Sequence, residues 1–568
     1  MKSLFPQSAI LLAAITFAAA PPVSALAAHV ISNPSAGERT TAINSDPLLK
    51  AMQDELDRER ELLLLPGMQR PYFIEYRVDD FQTYDAIANY GALTREERNH
   101  QRVVRVTVRI GDYASDSSSS RGDGSIELAP QDNDPAALRY ALWTATDEAY
   151  KNSLRAYANK QAALKRFEKP STENDFSPAK GIVVEVEPLA TLELNESEWK
   201  KRIVEASGLF MTDPSLKAAA SHVQYSSSNV RGFAVNRFLV NTEGTILRHG
   251  YAAYNANISV SGQAEDGMRL ERSNGSTAAR ASDLESAEAF HRRTVDDLKS
   301  LEALRNAPVA DPEDFHGPVL FSGDASTDVL NRLFVPNVEA ERPEMGTTAR
   351  TTGAYQSSFK ARVLPEMLSV VDDPLESSFH GRQVVGAYEV DDEGTPAQSV
   401  PIVSQGKLLN YLTSRTPVRD FDTSNGHGRA APGQGARAMA GVMIFKAVNP
   451  VPVAELHARL LSMAKEQGRD VYEVEALGGE LSPRVLYRVH PDGTRQLIRG
   501  AAFDELDNRS LRSDIVAAGD DLYVQDSLGA VPETTIAPSL LFGDIGVKRA
   551  TEEQQKLPDA EPYVIRTN

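Results

Sequence analysis

The spacing of hydrophobic and polar positions changes several times along the chain. "SDPLLKAMQDELDRERELLLL", from Ser45, spaces its apolar residues for a helix, with Asp46 suited to the N-cap and Pro47 to the first helical position. "PYFIEYRVDD" and "QRVVRVTVRIGDY" then read as strands. In the second, Val104, Val106, Val108 and Ile110 alternate with Arg105, Thr107 and Arg109, which predicts one buried face and one wet face. The longest helical run covers 134–169, opened by Asp134-Pro135 and stopped by Pro170. "NESEWKKRIVEASGLF" predicts another helix, capped by Asn195 or Ser197. From about 220 to 280 the period returns to two, with turns at "NTEG" and "EDG", so consecutive antiparallel strands are expected. A helix over 282–308 leads into "APVADPEDFHGP", whose three prolines mark a boundary.

"GPVLFSGDASTDVLNRLFVPNV", 317–338, reads as a buried strand, a turn and a helix that runs into Pro336. Val329, Leu330, Leu333, Phe334 and Val335 can face a core. Beyond it the chain is strand-rich, with turns at Asp392-Glu393-Gly394, Gln405-Gly406 and Asp492-Gly493, and a helix near 454–468. The expected architecture is α+β in two lobes. The amino-terminal lobe comprises helices with a mixed sheet over 46–180 and an antiparallel segment with flanking helices over 181–305. The carboxy-terminal lobe, 312–550, is mostly antiparallel; residues 28–45 read as a loose linker and 551–568 as a tail. No repeat of 20 to 50 residues occurs, so the chain is not a solenoid.

Residues 1–27 have the form of a secretory signal peptide: Lys2, then "AILLAAITFAAA", then Ala25 and Ala27 at a small-x-small site. Export to the periplasm or outside is therefore expected. No later stretch is apolar enough to span a membrane. The net charge of −19, without a dense Lys/Arg run, argues against a nucleic-acid partner. The absence of cysteine rules out disulfides, thiolate nucleophiles and Cys metal ligands.

Little in the chain carries chemistry by itself. The ten histidines are scattered; His291 and His316 stand 25 residues apart without a companion Glu at zinc-protease spacing. No P-loop, dinucleotide fingerprint or G-x-S-x-G elbow is present. S-x-x-K occurs at Ser197–Lys200 and Ser357–Lys360, a pattern short enough to arise by chance. "VDDEGTP" lacks the alternating ligands of a calcium loop and reads as a solvated turn. "NGHGRAAPGQGARAM" is glycine-rich enough for another backbone to approach closely. It sets His427 between glycines as an accessible side chain, with Arg429 and Arg437 able to clamp a carboxylate. Asn425, His427, Arg429 and Arg437 are accordingly the substrate-binding candidates.

Taken in order, "PYFIEYRVDD" with "RVTVRIGDY", "GPVLFSGDASTDVL", "VDDEGTP" with "GKLLNYLTSR" and "NGHGRA", and "TTIAPSLLFGDIGVKR" resemble the TldD/PmbA (TldD/TldE) metallopeptidase family. The resemblance implies a barrel-like carboxy-terminal lobe. In active members the helix after "GPVL" carries H-E-x-x-x-H, and a Cys near the carboxy terminus completes the zinc site. Here that motif falls on "NRLFVP": Asn331 and Pro336 stand for the histidines and Arg332 for the glutamate, and there is no Cys. An arginine cannot act as the general base, and proline should break the helix. The resemblance thus implies a chain with no metal or cofactor of its own. It would be the TldE-like subunit of a heteromeric protease, with zinc in a TldD-like partner and unfolded or extended peptide as substrate. The alternatives are a free-standing exported protein that binds peptides or another ligand without catalysis, and a hydrolase using a different site such as Ser357 and Lys360.

Overall fold

The computed structural model describes residues 34–119, 124–165, 173–311, 313–344, 347 and 349–550. The expected signal segment 1–27 and tail 551–568 lie outside them. The stretch expected as a loose linker contains helix α1, Ala36–Asn44, because Ser35 and Glu38 form a reciprocal capping box.

The amino-terminal lobe is a seven-stranded sheet with helices on one face. Its strands are β1 (Pro71–Asn89), β2 (Ala92–Ile110), β3 (Gly124–Leu128), β4 (Val184–Val186), β5 (Val223–Asn241), β6 (Ile246–Gln263) and β7 (Arg269–Ala278). They run in the order β3-β2-β1-β5-β6-β4, with β7 also on β6. Its main helices are α2 (Pro47–Leu62), α3 (Pro135–Leu164), α4 (Glu196–Thr212), the short α5 (Lys217–Ala220) and α6 (Ala287–Asn306). Asp46 and Asn195 cap α2 and α4 as expected, each side chain accepting backbone N–H bonds.

Alternation along the strands sorts the side chains. Val104, Val106, Val108 and Ile110 pack with Leu49, Leu142 and Ala145 of α2 and α3. Further along the same back face, Tyr84, Ala86, Val230 and Tyr254 pack with Trp199 and Ile203 of α4 and Phe290 of α6. The front face was expected to be wet. Thr107 and Arg109 are instead buried, as are Arg77, Asp79 and Arg237. Arg109 is covered from within its own lobe, by Asp116 at 3.0 Å and the Phe176 ring, whereas Arg77 and Arg237 meet the second lobe docked on that face.

The carboxy-terminal lobe holds an eleven-stranded sheet. In chain order its elements begin with β8 (Phe315–Phe321), helix α7 (Gly323–Leu333) and β9 (Leu368–Asp372). The small hairpin β10–β11 (Ser378–Phe379, Arg382–Gln383), β12 (Val400–Ser404), β13 (Lys407–Leu408) and the two-stranded β14–β15 (Gly428–Arg429, Arg437–Ala438) follow. Then come β16 (Val442–Ala447), α8 (Val453–Gln467), β17 (Val471–Leu477), β18 (Pro483–Val489), β19 (Arg495–Ile498) and β20 (Ala501–Asp504). The short α9 (Asn508–Ser513), β21 (Ile515–Leu528) and β22 (Pro532–Arg549) complete it.

The order β13-β12-β9-β16-β22-β8-β17-β18-β19 has two free ends, with β20 and β21 also on β22. Among the described residues, therefore, the lobe expected to be barrel-like does not close. The physical reason is that both faces of the sheet are covered. Val319, Phe321, Leu540 and Phe542 face α7, whereas Leu320 and Leu541 face α8. Burial on both sides suits the two parallel pairs, β16–β22 and β8–β17, within the otherwise antiparallel lobe.

Helix α7 buries the expected face. Val329, Leu330 and Phe334 are fully enclosed, Val335 is buried and Leu333 is partly covered. Its last helical bond runs from the Phe334 N–H to the Leu330 carbonyl, 2.8 Å. A 3-10 turn over Val335–Asn337 follows, because Pro336 has no N–H to continue the ladder.

The lobes are joined by a buried ionic clamp. Arg237 of β5 donates from Nε to Asp79 of β1 at 2.6 Å, from Nη2 to the Ala430 carbonyl at 3.0 Å, and pairs with Asp392. Asp79 also accepts the Gly433 N–H at 2.7 Å, and Arg77 donates to the Gln434 carbonyl.

Candidate functional site

Beyond the clamp the two lobes separate into a cleft of about 1150 Å³. One wall is the front face of the amino-terminal sheet. Phe81, Thr83 and Asp85 of β1, Phe233 and Arg231 of β5 and Tyr251 of β6 lie on it at every second position. Phe233 and Tyr251 meet edge to face at 6.0 Å between centroids. The other wall consists of α7 and the turn after it, the β21–β22 turn, and the far side of the glycine loop.

The positions singled out on α7 all line this cleft. The Asn331 amide donates to Gln525 at 2.6 Å and its oxygen accepts from Thr535. Arg332 and Pro336 are exposed on the cleft side. Asp328, one turn earlier, accepts from Gln525 at 2.8 Å, and burial raises its carboxyl above the ordinary range.

The glycine-loop candidates divide. Arg437 is exposed and lines the cleft. The other three are engaged inside the carboxy-terminal lobe. Asn425 accepts the Thr413 N–H and donates to the Tyr411 carbonyl, both at 2.8 Å. His427, expected to be accessible, is completely enclosed: Nε2 lies 3.0 Å from Asp372 Oδ1 and Nδ1 is 3.0 Å from Asn425 Oδ1. Arg429 is buried, donating to the Ala440 and Pro532 carbonyls at 3.0 and 2.6 Å and stacking on Tyr388. The glycines do admit close neighbours, but these are a backbone and side chains of this chain itself. Gly426, at φ +81°, would place a Cβ 2.3 Å from the Pro396 carbonyl, and Gly433, at φ +73°, would place one 3.1 Å from Val103.

"VDDEGTP" is likewise not a solvated turn. Asp391 accepts the N–H groups of Thr395 and Gly428 at 2.7 and 2.9 Å. Asp392 accepts the Ala430 N–H at 2.7 Å and pairs with Arg237. Burial alone would raise Asp392, but Arg237 and His249 outweigh it and hold the carboxyl far below the ordinary range. The S-x-x-K pairs are spoken for or bare: Lys200 donates to Glu96 at 3.0 Å, while Ser357 and Lys360 are exposed, with Lys360 over the Phe359 ring.

Two glutamates in the cleft floor were not singled out from sequence. Glu339 follows the α7 turn, and its Oε1 accepts the Ala440 N–H at 2.9 Å. Glu533 is the second residue of β22, and the next residue, Thr534, donates its N–H to the Gly441 carbonyl at 2.9 Å. The Ala440–Gly441 segment is thus held by the Glu339 side chain and by the backbone next to Glu533, from elements almost 200 residues apart in sequence. Burial pushes Glu339 up to about 8, with Glu533 adding to the rise. Burial likewise pushes Glu533 up to about 7, opposed by Arg429 and reinforced by Asp372. The only sequence signal was a lone acid opening the apolar strand "VPETTIAP".

Residues 316–485 match the PmbA/TldA metallopeptidase C-terminal domain. That stretch of the chain is a TldD/PmbA-type carboxy-terminal domain. Three solved structures share the fold over 88% of this chain. A protein described as a modulator of DNA gyrase from Thermotoga maritima is 15% identical, with TM-score 0.59 and 99% of its own chain covered. TldE from Thermococcus kodakarensis is 12% identical, TM-score 0.58, 99% covered. A second protein described as a gyrase modulator, from Bacteroides thetaiotaomicron, is 10% identical, TM-score 0.57, 98% covered. At such identities these likenesses show the fold alone. No curated protein matches the chain in sequence.

A TldD/PmbA protein of the metallopeptidase type calls for a metal ion, and zinc requires imidazole, thiolate or carboxylate donors. The α7 side chains in this cleft are an amide already hydrogen-bonded, a guanidinium and a proline. Among the described residues no three His, Cys, Asp or Glu side chains are grouped to share an ion. The residues present do not fit zinc.

Proposed function

We propose that this chain is the metal-free, TldE-like subunit of an exported heteromeric protease acting on unfolded or extended peptides. The observation that carries the reading is that Asn331, Arg332 and Pro336, which stand where the family resemblance puts two zinc ligands and the general base, all line the interlobe cleft. A fixed cation cannot take a proton from water, and neither an amide nor a proline replaces an imidazole ligand. The scaffold of α7 is kept: its inner face still packs the core. The cleft is walled by strand faces and aromatic rings, which supports its use by an extended segment. Catalytic zinc then belongs to a TldD-like partner. The signal-type segment 1–27 supports export of this chain.

Two measurements test this. The mature chain, soaked in zinc and desalted, should carry close to no zinc per chain; stoichiometric zinc overturns the metal-free reading. Mixed with a zinc-bearing exported homologue, it should co-elute as a defined complex and raise cleavage of an unfolded protein above that of the homologue alone. Separate elution with no gain in cleavage removes the partner role.

A further inference from the structure

The charges of the cleft are unevenly matched. On the sheet wall each guanidinium has an acid: Arg95 lies 2.6 Å from Glu97 and 3.6 Å from Asp85, and Arg231 lies 3.8 Å from Asp85. Asp526, across the cleft, is paired with Arg382 at 2.5 Å. Arg332 and Arg437, on the opposite wall, are exposed to the cleft and make no ion pair or side-chain hydrogen bond among the described residues. The acids nearest them are poor competitors below about pH 7. Asp328 is tied to Gln525, and burial pushes Glu339 and Glu533, which face Arg437, up to about 8 and about 7. In a chain of net charge −19, one wall of this cleft therefore presents two free guanidinium groups.

We infer that Arg332 and Arg437 form a carboxylate-binding subsite that takes an acidic side chain, or the free carboxy terminus, of an extended peptide. This rests on the peptide reading above and adds a preference to it. A guanidinium offers a fork of donors matched to a carboxylate, and a cleft partly closed to water strengthens the pairing. Replacement of an acid–base residue by arginine at 332 turns a position of chemistry into one of recognition.

The subsite has a built-in pH response. Glu339 is faced by Glu533, Arg437, the Ala440 N–H and Asp372; Glu533 is faced by Arg429, Arg437 and Asp372. Arg429 is occupied by two carbonyls and Asp372 by His427 and the Gly441 N–H, so Arg437 is the free counter-charge. As pH rises through about 7 and about 8 the two glutamates ionise and compete with a ligand for it.

The test uses fluorescence anisotropy of four labelled peptides of otherwise identical neutral sequence. One is amidated with a central Gln, one amidated with a central Glu, one amidated with a central Lys, and one carries the Gln and a free carboxy terminus. The mature full chain should bind the Glu or free-acid peptide about tenfold tighter than the neutral one near pH 6, and the Lys peptide more weakly. Which of the two anionic peptides gains identifies the carboxylate. The gain should shrink in high salt and near about pH 9, and should be lost in Arg332→Gln and Arg437→Gln while binding of the neutral peptide persists. Both side chains are exposed and unpaired, so unchanged thermal unfolding of the variants confirms intact folding. Equal binding of neutral and anionic peptides overturns the subsite and leaves the peptide reading standing. Binding of none overturns both.

Discussion

Replacing Arg237 by Gln should loosen the joint between the lobes. Arg237 is 3% exposed and meets Asp79, Asp392 and the Ala430 carbonyl, so one side chain from the amino-terminal sheet holds two segments of the other lobe. The variant leaves two buried carboxylates short of their nearest cation. Breaking a buried pair in this way costs ~3–5 kcal/mol. The remaining partners place the cost at the lower end: Asp79 keeps Arg77 and the Gly433 N–H, and Asp392 keeps His249 at 3.3 Å and the Ala430 N–H. A loss of ~3 kcal/mol corresponds to a fall of roughly 6–12 °C in the first thermal transition of lobes of this size. The pH dependence carries a sign. Both aspartates lie below their ordinary range despite burial, because Arg237 outweighs it. Carboxylates depressed in the folded state stabilise it fully above the unfolded value near ~4 and lose that contribution as pH falls through the folded value. Removing Arg237 raises the folded values, so acid unfolding should begin at higher pH than in the parent. Circular dichroism against temperature and pH gives both numbers, and small-angle scattering reports any separation of the lobes. A fall below about 1 kcal/mol, with an unmoved acid midpoint and unchanged radius of gyration, would refute the clamp.

Other outcomes follow from the same geometry. Leu330→Ala, at a fully enclosed position of α7, should cost ~3 kcal/mol by urea unfolding, and a loss under ~1 kcal/mol would show that the helix is not core. Gly433→Ala puts a side chain on a backbone at φ +73° and 3.1 Å from Val103; ~1–3 kcal/mol should be lost, against little change for Gly479→Ala, where the site is open and the backbone is not left-handed. Glu339 and Glu533 keep protons in the fold that an unfolded chain releases near ~4.3, so stability should decline as pH rises from there to about 7 and about 8. Glu533→Gln should flatten that decline in urea midpoints, and a flat curve in the parent chain would contradict it.

Local features were legible from the sequence wherever a neighbour in the chain decides them. The caps at Asp46 and Asn195, the alternation of β2, the buried face of α7 and its end at Pro336 all depend on residues a few positions apart. What the sequence left open was the company each element keeps. Arg109 looked wet because the Phe176 ring that covers it is encoded 67 residues later. His427 and Asp392 looked exposed because their glycine-rich settings resemble turns, yet their partners, Asp372 and Arg237, sit 55 and 155 positions away. The barrel expectation failed for a similar reason: α8 covers the second face of the sheet, and nothing within its strands announces that. Glu339 and Glu533 acquire their character only from the burial that folding brings.

The period-two wall of the cleft has an evolutionary consequence. On β1 and β5, Thr83, Asp85 and Arg231 face the cleft, while Tyr84, Ala86 and Val230, their immediate chain neighbours, belong to the core behind. A substitution at the first set touches no core contact, and one at the second reaches the cleft only through the sheet. Ligand preference can therefore drift residue by residue along one register of these strands, while the neighbouring register keeps the molecule folded.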